Sequence, residues 1–316
     1  MAINTTGDTW NLPNYAGELF TADEENTPIL SALGGLTDGG MQTFNFEFPV
    51  TVEYDLPSPE QPEISEDDTH EAPDPTHIER EQKKNVTQIF HQSVDLTYEK
   101  LSNYNRLQGI NTADATNSVD DELAWQIDQN LQIIARNVEY TVLHGEYNLA
   151  GTSDEANKTR GIKEAVDGWN GAAIDANGDD LDRDLMEELF REIWNNGGLF
   201  QEPVIIAGGT QKQKISNLYG YAPESRNVGG LDIQQIETDF GNIGIMPPHR
   251  FANNDEILLT DMSLLQPVFQ PVPDKGNFFF EELAKDGAAE KGQIYGKFGL
   301  DHGPGWAHGY IENLAT

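Results

Sequence analysis

Few residues in this chain have the type and spacing that chemistry requires. The seven histidines are His70, His77, His91, His144, His249, His302 and His308. None forms an H-x-x-x-H or H-E-x-x-H pair, so zinc ligation on a helix has no support. His302 and His308 fall in the glycine-rich DHGPGWAHGY and are expected to be turn residues. The absence of cysteine removes thiol nucleophiles, Cys-ligated zinc, iron–sulfur clusters and disulfide scaffolds together. Neither G-x-S-x-G nor G-x-x-x-x-G-K-[ST] occurs. Gly208-Gly209-Thr210 lacks the lysine of a phosphate loop and is expected only to turn the chain. The segment DANGDDLDRD follows part of the calcium-loop pattern, with Asp175, Asn177 and Asp179 in its first three side-chain ligand places. Asp180 stands where that pattern needs glycine, and Met186 where it needs glutamate. No metal is therefore expected, and Asp175, Asn177 and Asp179 are the residual candidate ligands. No catalytic residue and no cofactor is assigned.

Charge narrows the partners. The 316 residues carry 54 Asp+Glu against 19 Lys+Arg, a net charge of −35. Phosphate contacts need clustered lysine and arginine, so bulk nucleic-acid binding is disfavoured. The acids are spread along the chain, and aromatic residues make up 9%, so this is a folded protein and not an acidic tail. Spread charge of one sign opposes compaction through self-repulsion. Concentrated salt removes that penalty, because the Debye length falls to about 3 Å at 1 M. The composition therefore suggests a protein that works in high salt. No apolar run of about 18 residues is present, so no transmembrane helix is expected. The first twenty residues show neither a basic nor an apolar signal region.

The elements that would position any site fall in a clear order. Pro13, Pro28 and the pairs Gly34-Gly35 and Gly39-Gly40 make residues 1–40 an arm with no long helix. Residues 41–54 alternate, with Phe44, Phe46 and Phe48 on one face, which predicts a half-buried strand. Residues 53–81 hold eleven acids, one base (Arg80) and five prolines, and cannot build a core of their own. They predict a floppy loop or an extended hairpin, whose half of about 15 residues would reach about 50 Å. Alternation resumes over 84–98, with Val86, Gln88, Phe90 and Gln92 on one face. A long amphipathic helix follows, capped at Asn117 or Ser118, with a stripe at Val119, Leu123, Ile127, Leu131, Ile134, Val138 and Val142, and ended by Gly145. A second helix is predicted over 181–195, stopped at Asn196-Gly197-Gly198. A buried strand at 203–207, a short helix at 210–219 and strands at 233–238, 243–246, 257–260, 268–272, 278–285 and 293–298 complete the reading.

Several segments in this order resemble the major capsid proteins of tailed double-stranded-DNA viruses, those with the Hong Kong 97-type fold. NYAGELF (14–20) and TPILSALGGL (27–36) are similar to that family's N-terminal arm, and QPEISEDDTHEAPD (61–74) to its extended-loop tip. NVTQIFHQSVDLTYEK (85–100) is similar to the return strand. IARNVEYTVLHGEY (134–147) is similar to the end of the spine helix, with NKTRGI (157–162) following it. The similarity covers about residues 10–165 well, and the C-terminal half agrees in texture.

The resemblance implies an α+β fold in five parts: an N-terminal arm (1–40), an extended loop with an acidic tip (41–98), a peripheral domain (99–180) holding a spine helix at about 118–145, a central axial domain (181–265), and return strands of the peripheral domain (266–316). It implies no catalysis. The implied function is self-assembly into hexamers and pentamers of an icosahedral shell around double-stranded DNA, located in the virion and assembled in the host cytoplasm. The implied partners are copies of the chain itself, a portal, any separate scaffold, decoration or turret proteins, and packaged DNA touched without sequence specificity. No membrane is involved. About 40 residues precede the first strand, too few for a scaffolding domain, so a scaffold is expected to be a separate protein. Non-covalent assembly is the expectation. Apolar contacts between subunits are expected at Phe44, Phe46, Phe48, Ile89 and Phe90, and bridges to a neighbour's acids at Arg80, Lys83 and Lys84. Together with the charge, the resemblance suggests a virus of a salt-loving host. An acid-rich soluble enzyme or binding protein, or another virion component such as a tail-tube subunit, stands as the alternative.

Overall fold

The computed structural model describes residues 27–36, 40–54, 56, 59–66, 68–70, 72, 77–99, 122–219, 225–228, 231–248, 253–285 and 287–316. The arm segment NYAGELF and the predicted helix cap at Asn117 or Ser118 lie outside the described residues.

Among the described residues, apolar strands build two larger sheets. The larger has seven strands in the order β5 (Ala172–Asp175), β14 (Gly309–Glu312), β10 (Ile257–Asp261), β6 (Pro203–Ala207), β9 (Gly241–Met246), β8 (Leu231–Thr238) and β7 (Ser225–Val228). Its central strands read as continuous apolar runs because both faces are covered. On β6, Val204 and Ile206 enter one core, while Ile205 and Ala207 enter another. On β10, Leu258 faces the first core, and Ile257 and Leu259 the second.

The first core is closed by α2 (Glu122–His144) and α3 (Ile162–Gly168). On α2, Ile134, Val138 and Val142 of the predicted stripe are buried, while Ile127 and Leu131 are half-buried against the same core. The second core is closed by α4 (Arg183–Asn196) through Met186, Leu189, Phe190 and Ile193, and by α5 (Gly209–Tyr219) through Ile215. Asp182 caps α4 by accepting the Leu185 N–H at 2.8 Å. Gly197 ends α4 at φ 105°, a left-handed conformation that favours glycine.

The second sheet runs β1 (Met41–Gln42), β11 (Gln266–Phe269), β13 (Ala289–Asp301), β12 (Phe278–Glu282), with β4 (Gln88–Thr97) on the far edge of β13. A separate two-stranded ribbon pairs β2 (Glu47–Tyr54) with β3 (Arg80–Val86). An arm helix, α1 (Pro28–Ala32), buries Ile29 and Leu30 against α2. No described helix is long and apolar enough to cross a membrane.

Three expectations change. Residues 41–54 are not one strand. The Thr43 hydroxyl accepts the Asn45 N–H and donates to the Asn45 carbonyl, which bends the chain after β1. Thr43 N–H still bonds Phe269 of the second sheet, whereas β2 joins the ribbon. Residues 84–98 also divide, at Thr87, between β3 in the ribbon and β4 in the sheet. Their alternation survives the division: Val86, Phe90, Val94 and Leu96 all point inward. Finally, β5, α3 and β14 had no clear pattern in the sequence. β5 and β14 join the large sheet, so sheet membership crosses the expected segment boundaries.

Candidate assembly site: the hairpin and its anchor

Of the two readings of the acidic segment, a floppy loop or an extended hairpin, the β2–β3 ribbon supplies paired strands on either side of it. Glu47 pairs with Val86 at its base and Tyr54 with Arg80 at its outer end. Only the base is buried. Arg80, Glu81, Gln82 and Lys84 are exposed, whereas Asn85 and Val86 are fully buried. Beyond Tyr54, Leu56, Ile64 and Ile78 stand exposed among the acids.

The predicted contact residues separate into two groups. Phe44 and Phe46 are 87% and 52% exposed, and Ile89 is 54% exposed on the outer face of β4. These are free to meet another chain. Phe48 and Phe90 are not. Phe48 is buried against the backbone of Gly299, where a Cβ would stand 2.7 Å from its ring. Phe90 packs edge-on to Phe298 with ring centroids 6.4 Å apart. Phe48 points inward from the base of β2, and Phe90 by the period of β4. Two of the three bases are engaged within the chain: Lys83 pairs with Glu81 at 3.0 Å, and Lys84 with Glu47 at 3.2 Å. Exposed pairs of this kind contribute about 0–1 kcal/mol each. Arg80 sits at the outer end of the ribbon.

The base is held by a residue that periodicity could not single out. Asn85 is fully buried, and its amide is fully used. Its Nδ2 donates to the carbonyls of Leu300 (2.8 Å) and Arg160 (3.2 Å). Its Oδ1 accepts the N–H groups of Arg160 (2.8 Å) and Val86 (2.8 Å). One side chain thus joins the ribbon, β13 and the loop before α3. The neighbouring Thr159 N–H donates to Gln88 Oε1, and Thr159 Oγ1 accepts the Leu300 N–H. Arg160 lies between two rings, 4.4 Å from the centroid of Tyr147 and 4.7 Å from that of Trp169. Lys83 approaches the same Trp169 ring at 5.7 Å. NKTRGI is therefore the socket for the hairpin base. Its place after the spine helix was the only signal in the sequence that pointed here.

Behind the anchor lie the two histidines read as turn residues. They are in a turn, but both are fully buried. His308 Nε2 donates to the His302 carbonyl at 2.7 Å, and its Nδ1 accepts from Thr260 Oγ1 and the Asp261 N–H. His302 stacks on Trp169 at 4.5 Å, and its Nδ1 donates to the Gly303 carbonyl. Burial, then the neighbouring His308 and Arg160, lowers the His302 pKa to about 3. Burial likewise lowers His308. Both are neutral structural groups.

Carboxylates tie the helices to the sheets. Buried Glu256 receives Lys163 (3.1 Å), His144 (3.1 Å) and Asn253 (3.1 Å), and Lys163 also reaches Glu312 at 2.9 Å. Burial alone would lower the Lys163 pKa, but the bonds to Glu312 and Glu256 outweigh it and raise it. Glu139 on α2 is fully buried and accepts the Leu30 N–H of α1 at 3.0 Å. Desolvation pushes its pKa up to about 8, against the opposing N–H groups of Leu30 and Ile29.

The residual metal candidate is used differently. Asp175 Oδ1 accepts the Asn177 N–H and Asn313 Nδ2, which lowers its pKa, the Asn313 bond most. Asn177 turns the chain at φ 52°, and Asp180 pairs with Lys214 at 2.9 Å. Among the described residues no group of three or more acidic or histidine side chains could hold a metal.

The family model of the SU10 major capsid protein matches residues 2–315. No curated protein matches. Among solved structures, the capsid asymmetric unit of cyanophage A-1(L) aligns at TM-score 0.60 and 12% identity, covering 96% of this chain and 97% of that one. Mycobacterium phage Adephagia aligns at 0.56 and 10% identity, covering 100% and 99%. The holo-SrpI encapsulin complex of Synechococcus elongatus aligns at 0.54 and 12% identity, covering 100% and 97%. At these identities the structures establish a shared fold, that of capsids and encapsulins.

Proposed function

The chain belongs to the SU10 major capsid protein family, and from that premise we propose how its geometry builds a shell. It is a structural protein of the phage capsid with the Hong Kong 97-type α+β fold, it forms an icosahedral shell from copies of itself, and it has no enzymatic role. The proposal concerns how copies meet.

The observation that carries it is the ribbon, anchored at Asn85 and exposed beyond it. A ribbon with a rigid base and no core of its own is stable when it lies on a neighbour. Phe44, Phe46 and Ile89 supply apolar contact near its root, and Arg80 a cation at its outer end. Such contacts, repeated around hexamers and pentamers, would close the shell. In this scheme the chain divides into an arm 1–40, an extended loop 41–98, a peripheral domain 99–180 and 266–316, and an axial domain 181–265 whose sheet also takes in β5 and β14. A portal and separate scaffold, decoration or turret proteins complete the virion assembled in the host cytoplasm. Packaged DNA meets a wall of one negative sign that does not retain phosphates.

Copies carrying −35 repel one another, so assembly depends on screening, which supports a host living in concentrated salt. The test is electron microscopy with light scattering on the purified chain across a salt series. Shells or hexamers and pentamers that appear in molar salt and dissociate in dilute buffer support the whole reading. Shells indifferent to salt overturn the halophilic part. A chain that stays monomeric alongside the virus's other structural proteins overturns the assembly scheme.

A further inference from the structure

The short arm helix α1 takes its cap from elsewhere in the chain. Pro28 at its first position has no N–H, and Thr27 before it makes no side-chain cap. The next N–H groups turn to α2 instead. Glu139 Oε2 accepts the Leu30 N–H at 3.0 Å, and the Ile29 N–H bonds the same carboxyl. Around this polar point Ile29, Leu30 and Leu33 sit in the first core. Glu139 is fully buried, and its other oxygen, Oε1, has no hydrogen-bond partner among the described residues. An ionised carboxylate with one bare oxygen is costly in such a place. A carboxylic acid is neutral there and still accepts through Oε2. The geometry therefore puts the proton on Oε1, in line with a pKa raised to about 8 by desolvation.

The surrounding charges do not offset ionisation. α1 carries no ionisable side chain, and β8, which touches α1, brings the acids Asp232 and Glu237. On α2, Arg136 lies one turn back and makes no ion pair with Glu139, while His144 is bonded to Glu256. On α3, Lys163 holds Glu256 and Glu312, Glu164 faces Arg160, and Asp167 accepts from Tyr310. Behind α2, His91 and Asp95 of β4 sit with Tyr295 and Lys291 of β13 on the face away from the core, as does Lys297. Glu290 of β13 pairs with Lys285, and Asp301 accepts the Gly303 N–H.

We propose that Glu139 is a proton-operated latch for the arm. Protonated, it seats segment 27–36 on the spine helix of its own chain; once the proton leaves, that segment lifts off and water reaches the charge. Release is local, because the sheets keep their own cores when so short a segment leaves. Lifted off, the carboxyl returns to the ordinary value of 4.5 and favours the charged form. The latch is therefore tightest below pH 4.5. Release grows by up to about tenfold per pH unit above that, and levels off near pH 8. The inference does not draw on the shell reading.

The test is amide hydrogen exchange of the full-length unassembled subunit from pH 5 to 9, corrected for the intrinsic pH dependence of exchange. Protection in peptides covering 28–36 is expected to fall at least tenfold between pH 5 and 8 and to change little above 8. Peptides covering β6 are expected to keep their protection over the same range. In Glu139→Gln, which carries no titrating proton at this position, protection of 28–36 is expected to stay flat. A flat parent profile from pH 5 to 8 overturns the latch, and it does so even if the variant fails to fold. A parallel fall in Glu139→Gln overturns it too. So does a loss of β6 protection in step with 28–36, since that is global unfolding and not release of the arm. Each of these results leaves the capsid reading standing.

Discussion

Replacing Asn85 by alanine should loosen the hairpin as a unit. The side chain makes three long-range hydrogen bonds, to Leu300 O, Arg160 O and Arg160 N, and one local bond to Val86 N. Each is worth about 1 kcal/mol net, and each buried group left unpaired costs about 1–3 kcal/mol. Water entering the vacated polar space recovers part of this. The expected loss is about 4 kcal/mol. With an unfolding entropy of about 2.1 cal/mol/K per residue, a chain of this length should melt about 6 °C lower. Stability alone does not isolate the anchor, so a control is needed. Ile205→Ala, in the second core and fully buried, should cost a similar amount, about 2–5 kcal/mol, without touching the ribbon. The assay is calorimetry of the unassembled subunit, limited proteolysis within 77–86 and shell yield by electron microscopy. Asn85→Ala should be cut faster and assemble poorly at temperatures where Ile205→Ala still assembles. Equal proteolysis and equal yield in the two variants, or a melting change under about 1 °C for Asn85→Ala, would refute the anchor argument.

Other consequences can be checked on the same subunit. His302 has a folded pKa of about 3 against 6.5 for a solvent-exposed histidine, so the unfolded chain binds the proton first as pH falls. Its contribution is complete above pH 6.5 and is lost between 6.5 and 3, up to about 5 kcal/mol, and His308 adds in the same direction; a melting temperature flat from pH 6.5 to 4 would contradict this. Glu139 works the other way, since its pKa is raised from 4.5 to about 8, and stability falls as pH climbs through that window. Glu139→Gln should therefore melt higher than the parent at pH 8.5 and lower or equal at pH 5, with the opposite order refuting the burial argument. Gly299→Val should drive Phe48 off its seat and lower the melting temperature by several degrees, because the glycine Cβ position is 2.7 Å from the ring; normal melting would mean that the ring relocates without cost. Raising salt from 0.1 to 2 M should stabilise the subunit through screening of its −35 charge, which a salt series of melts would show.

The elements that periodicity can encode were legible from the residues. The α2 stripe, the stop of α4, the apolar run of β6 and the strands from β8 to β13 follow from local pattern, since burying a face demands a fixed repeat. The acidic, proline-rich segment indicated by composition a floppy loop or an extended hairpin without a core, and the order of short motifs carried the family. The metal pattern at Asp175 was already incomplete, and the structure uses its oxygens to turn the chain.

Other features depended on contacts between residues far apart in the chain, which no local repeat records. Phe44, Phe46 and Phe48 alternate in the sequence, yet Phe44 and Phe46 stand exposed in the bent stretch between β1 and β2, while Phe48 on β2 enters a glycine seat on distant β13. Asn85 carries no periodic signal, and its importance appears only when Arg160 and Leu300 arrive beside it. His302 and His308 sit in a turn by sequence, but the packing of Trp169 and β10 around them makes the turn a buried core. Sequence by itself settled the helices and strands that carry a strong local repeat, because that choice answers to neighbours a few residues away. Tertiary structure alone decided which of two faces is inside and which polar group is indispensable. Those follow from desolvation, and desolvation is set by whatever the rest of the chain brings near.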